Sequence, residues 1–172
     1  MQRREAVRLL GVIAAVPFLP QTAEAATALA ERVHRDVQGG GGFRTLDAAQ
    51  QRLVSRIADA IIPATDTPGA IDVQVPQFID HILTDWASPG ERRLFLAGLT
   101  ELAGRARGLD GAAFLELLRA LDGERTAGAG AGHAFGRIKS LTVYGYFTSQ
   151  RVQRDVLKTQ LAFPTYVGCA PV

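Results

Sequence analysis

The chain has 172 residues, 19 of them Lys or Arg and 17 Asp or Glu, with 47% hydrophobic residues and one Cys. That length allows one compact domain with one moderate core, and it excludes a single-chain oxidoreductase carrying a dinucleotide-binding domain beside a substrate domain. One cysteine excludes a disulfide-stapled scaffold, a four-cysteine zinc site, an iron–sulfur cluster held by this chain alone and a CxxCH haem attachment. The pI of about 9.0 invites a polyanion partner, so where the positive charge sits decides what it means.

Much of it sits at the start. Met1 to Arg8 is a short basic stretch with Arg3 and Arg4 adjacent. Leu9 to Leu19 follows without a charge, shorter than the roughly 20 apolar residues a membrane-spanning helix needs. Ala23 and Ala25 then put small residues at the two positions a signal peptidase reads. These parts in this order predict a secretory signal over residues 1–25, against the alternative of an amphipathic N-terminal helix or a retained anchor. The arginine pair with Val7 and Arg8 points to the twin-arginine route, with Ala6 standing where Phe is usual. Cleavage after Ala25 removes three bases and two acids and takes the formal charge from +2 to +1, which leaves no basic face for nucleic acid. The expected location is the periplasm. The twin-arginine route moves folded proteins, so assembly in the cytoplasm is expected of this cargo.

Ala26 to Val37 reads as an Ala-rich helix ended by a flexible linker, Gln38 to Gly42. From a cap at Thr45, the residues Leu46, Ala49, Leu53, Val54, Ile57, Ala58, Ile61 and Ile62 recur at helical steps until Pro63. Thr65-Asp66-Thr67-Pro68-Gly69 reads as a tight turn. Val75-Pro76 opens a helix with Phe78, Ile79, Ile82, Leu83 and Trp86 on one side and Asp80, His81 and Asp85 around the other. Ser88, Pro89 and Glu91 form a capping-box signature for the next, which carries Leu94, Phe95, Leu99 and Leu102. Asp110 caps a helix with Phe114, Leu117, Leu118 and Leu121 inward and Gly123 at its end, and Glu124 to Gly132 reads as a Gly/Ala loop. A helix from about Ala134 carries Phe135, Ile138, Leu141 and Tyr144, and another capped by Thr148 or Ser149 runs to about Lys158. Beyond Thr159 the periodicity fails and an extended tail is expected. No stretch alternates with period two. The expected fold is all-α, a single compact domain of five or six short helices with an extended C-terminal tail, divided into the signal at 1–25, a helix and linker at 26–45 and the helical domain at 46–172.

Self-sufficient chemistry is missing from this pattern. His34, His81 and His133 have no second ligand at HxxxH or HxxE spacing, and Asp80, His81 and Asp85 read as a solvated or interface face rather than a metal or acid–base site. Gly128 to Gly132 has neither a preceding strand nor a following Lys-Ser or Lys-Thr pair, so it reads as a linker and not a phosphate loop. Ser55, Ser140 and Ser149 lack a GxSxG elbow. Tyr144, Tyr146 and Phe147 at a helix end are expected to pack in the core. Cys169, in the non-periodic tail, is either a free thiol or one half of a bond to another chain.

Ile57 to Ala70, Val75 to Asp80, Asp85-Trp86, Lys139 to Ser149 and Tyr166 to Pro171 resemble the gluconate 2-dehydrogenase subunit 3 family, the small or gamma subunits of membrane-bound flavin-dependent sugar and polyol dehydrogenases. The resemblance covers about Leu46 to Gly104 and Phe135 to Val172. It implies a non-catalytic chain with no cofactor of its own. The large partner is a flavoprotein of the glucose-methanol-choline oxidoreductase type that holds FAD, and a membrane-bound cytochrome c subunit holds haem and passes electrons to quinone. The small subunit then bears the signal read by the twin-arginine translocase, helps the flavoprotein mature, carries it across the membrane and stays membrane-associated through the complex. On that reading the candidate partner contacts are Thr65, Asp66, Thr67, Pro68 and Gly69 in the turn, with Tyr146, Phe147 and Tyr166, and Cys169 is the candidate for an intermolecular disulfide. A free-standing periplasmic binding module is the alternative.

Overall fold

A computed structural model describes residues 22–124 and 128–158. Thr22 is extended and its hydroxyl accepts from the Ala25 amide at 3.3 Å, which starts helix α1, Ala23–Gln38. The rest of the order is α2 Ala48–Ile61, α3 Val75–Asp85, α4 Pro89–Arg105, α5 Gly111–Glu124, α6 Gly130–Thr148 and a π-helical turn, Val152–Val156. Among the described residues all regular structure is helical, with no strand.

Three local readings are corrected. α2 is capped by Asp47, not Thr45: its carboxylate accepts from the Ala49 and Gln50 amides at 2.8 and 2.9 Å, and the Gln50 side chain accepts from the Asp47 amide at 3.0 Å. A carboxylate with a reciprocating Gln is a stronger cap than a lone hydroxyl, and the Thr45 amide is engaged elsewhere. α6 begins at Gly130, so part of the expected Gly/Ala loop is its first turn. The cause is close packing: a Cβ on Gly98 of α4 would lie 2.3 Å from the Gly130 carbonyl oxygen, so only glycine lets the two helices approach this closely. The expected last α-helix is a π-helical turn, in which the Leu157 amide donates to the Val152 carbonyl five residues back at 2.9 Å. α4 follows the sequence directly, with Ser88 and Glu91 exchanging bonds across the first turn behind Pro89.

α6 is the central element. It packs on all five other α-helices and on the π-helical turn, most extensively on α4, while α1 also lies along α3. Its buried residues, Ala131, Ala134, Phe135, Ile138, Leu141, Tyr144 and Tyr146 among them, run around much of the helix, as expected of an element covered on several sides. Leu29, Ala30, Val33 and Val37 of α1 belong to the same hydrophobic core as Ile57, Phe78, Phe95 and Leu121. Each of the Leu, Val, Ile and Phe side chains contributes about 1.5–3 kcal/mol when fully buried.

Candidate functional site

The segment between α2 and α3 is an exposed turn held from within. The Ala70 amide donates to the Ile62 carbonyl at 2.9 Å, the Thr65 amide to the Thr67 carbonyl at 3.0 Å and the Gly69 amide to Asp72 Oδ2 at 2.8 Å. Gly69 is fixed by space, since a Cβ there would stand 2.5 Å from the Ala64 nitrogen. From beneath, the Tyr146 hydroxyl donates to the Pro68 carbonyl at 2.8 Å, and the Arg151 guanidinium donates to the Asp72 carbonyl at 3.4 Å. Thr65 and Asp66 lie in solvent with the Thr65 hydroxyl donating to Asp66 Oδ1 at 2.9 Å; Thr67 and Pro68 are half-buried and Gly69 is buried.

The structure therefore brings together residues 78 positions apart in sequence: Tyr146 sits under the turn, 5% exposed, with its ring edge-on to Phe147 at 5.2 Å. Beside the turn, exposed Ile71 borders a shallow cleft of about 380 Å³ lined also by Ser55, Arg56, Asp59 and Asp72. Arg56 is held in place by α5 and the chain just before it, its guanidinium 3.7 Å from the Phe114 ring centroid and donating to the Leu109 carbonyl at 2.7 Å. Arg3, Arg4, Tyr166 and Cys169 lie outside the described residues. Ala23 and Ala25 are exposed in the first turn of α1.

The reading of Asp80 and His81 as a solvated face is wrong. Asp80 is fully buried, and its carboxylate accepts from three successive backbone amides: Arg44 at 2.7 Å, Thr45 at 3.0 Å and Leu46 at 2.7 Å. A buried carboxylate needs such donors, and the chain between α1 and α2 supplies them by folding over α3. Arg44 continues the cluster, its Nη2 contacting His81 Nδ1 at 3.1 Å and donating to Asp85 Oδ2 at 2.5 Å. The bond to Asp85 raises the Arg44 pKa further above its already high value. Arg44 was missed because nothing local marks it. The available signal was Asp80 itself, an acid set among Phe78, Ile79, Ile82 and Leu83 on a helix that is buried nearly all round.

A second network ties α1 to α6. The Tyr144 hydroxyl donates to the Ala26 carbonyl, and the Thr148 hydroxyl donates to the Tyr144 carbonyl at 2.7 Å, which leaves Thr148 Oγ1 to accept from His34 Nε2 at 3.1 Å. The His34 ring lies 4.8 Å from that of Phe78, which in turn meets Tyr144 edge-on at 5.6 Å. Burial lowers the His34 pKa from 6.5 to about 4, partly offset by the Gly145 carbonyl.

Among the described residues no three His, Cys, Asp or Glu side chains are grouped to hold a metal ion, and no helix is long and apolar enough to cross a membrane. What the geometry offers is a helical scaffold that presents a braced turn. The model of the family described as gluconate 2-dehydrogenase subunit 3 matches residues 48–164, about two thirds of the chain, and the protein belongs to that family. Membership places it among the accessory subunits of dehydrogenase complexes. No curated relative and no solved structure matches it.

Proposed function

We propose that this chain is the non-catalytic small subunit of a periplasmic FAD-dependent sugar or polyol dehydrogenase, and that it acts in maturation and twin-arginine export of the flavoprotein subunit. The family match over residues 48–164 carries the reading. Two further observations support it. The N-terminal order of Arg3-Arg4, an uncharged stretch and Ala23-Glu24-Ala25 is that of an export signal for folded cargo. The turn at Thr65–Gly69 is exposed at its tip yet braced by Tyr146 and Asp72, so its shape is set before a partner arrives and little ordering entropy is lost on docking.

In this role FAD sits on the large subunit, haem sits on a cytochrome subunit, and this chain supplies an address and a docking surface. Co-expression of the flavoprotein with and without this chain tests the role. The expected result is that omission, or replacement of Arg3 and Arg4 by Lys, leaves the flavoprotein in the cytoplasm and lowers its periplasmic flavin content at least tenfold. An unchanged yield of active, flavinated enzyme in the periplasm overturns it.

A further inference from the structure

His81 carries a polar atom that the fold does not use. Arg44 can only donate, so its contact with Nδ1 at 3.1 Å makes that nitrogen the acceptor and puts the ring proton on Nε2. The residue is 4% exposed, and among the described residues nothing accepts from Nε2–H. A buried donor bears its full desolvation cost until an acceptor oxygen reaches it.

The ring forms part of the wall of a cleft of about 540 Å³ that also takes in Arg35, Asp36, Gly39 to Gly41, Arg44 and Asp85. Most of the negative charge nearby is committed. Asp80 is occupied by backbone amides, and Asp85 is paired with Arg44 at 2.5 Å. Arg35 makes no ion pair among the described residues. Gly41 lies over the unused nitrogen: a Cβ there would stand 2.6 Å from Nε2 and 2.8 Å from Cε1. The run Gly39 to Gly42, with Gly40 at φ 91, has the backbone freedom to move aside.

We propose that this cleft binds a small carboxylate, one oxygen accepting from His81 Nε2–H and the charge met by Arg35, with the four-glycine segment as the flap beneath which it enters. A protonated Nε2 has no lone pair, so the site takes an acceptor oxygen and not a metal ion. The carboxylate belongs either to a free acid or to an acidic side chain of a partner subunit, and the chemistry at His81 is the same for both.

Acetate is the probe. Titrated into the ¹⁵N-labelled full chain at constant ionic strength with chloride as the balancing ion, it is expected to shift the His81 Nε2–H resonance saturably. Gly41→Ala, which plugs the approach, weakens that binding about tenfold or more, and Arg35→Gln weakens it several-fold without touching the ring. Asp36→Asn, which removes a repelling charge, tightens it. The proposal is overturned if acetate does not move the wild-type resonance, or if Asp36→Asn alone shifts it in the absence of acetate, because Asp36 is then its acceptor. Repeating the titration by calorimetry on the assembled complex separates the sources: retained acetate binding assigns the site to a free acid, and lost binding assigns it to the partner's carboxylate.

Discussion

The turn between α2 and α3 and the cluster around Asp80 use hydrogen bonds in opposite directions. At the turn, one buried side chain, Tyr146, reaches out to a backbone carbonyl and leaves Thr65 and Asp66 in solvent. In the cluster, one buried carboxylate gathers three backbone amides inward. Deleting a polar group at the first site gives its neighbours back to water, whereas deleting the acceptor at the second strands donors where water is scarce. On the proposed function, stability and partner recognition are thus carried by different polar residues, although the turn leads into α3 and the cluster is built on it.

The comparison breaks most readily at Asp80. Asp80→Ala leaves three amides without their acceptor and is expected to destabilise the fold by about 3 kcal/mol or more, read from urea denaturation; a loss under 1 kcal/mol would make the cluster no more than a second surface turn. His34 sharpens the same contrast through pH. It ionises at 6.5 when unfolded and at about 4 when buried, so protons bind the unfolded chain preferentially between those values. Its contribution is fully present above the unfolded value and falls by up to about 3 kcal/mol as pH drops toward the folded one, a loss absent from His34→Gln when both are denatured across that range.

Tyr146→Phe removes one bond from beneath the turn and should cost about 1 kcal/mol, with faster amide exchange confined to the turn residues. The smallest expected effect on folding is that of Asp66→Ala, within about 0.5 kcal/mol, because its carboxylate is in solvent. On the proposed function this last variant instead loses co-purification with the flavoprotein, and wild-type recovery of the complex would remove the turn from the interface.

What could be read from the sequence followed the range of the interactions. Ser88-Pro89-Gly90-Glu91 announced α4 because all the groups of its cap lie within one turn of chain. The apolar stripe of α2 was visible for the same reason, and Val54, Ile57 and Ala58 are buried as their spacing requires. Asp80 was misread because its donors are 34 to 36 residues away, and an acid on a short helix looks the same whether it meets water or folded-back amides. The turn was recognised by composition, but its brace was not, since Tyr146 belongs to a helix that sequence alone assigned to core packing. Nor does residue type separate a π-helical turn from an α-helical one at Val152–Val156, where the difference lies in which carbonyl an amide reaches, as at Leu157.

The hydrogen bond from Tyr144 to Ala26 and the burial of Leu29 and Val33 bear on where the module truly begins. The unit of family likeness starts at Ala48, but the unit of folding starts some twenty residues earlier, because α1 closes one wall against α3 and α6. A chain trimmed to the matched span would keep every residue of the Thr65–Gly69 turn and lose the helix that shields Phe78 and Tyr144. The heredity of this subunit is drawn on a smaller outline than its architecture.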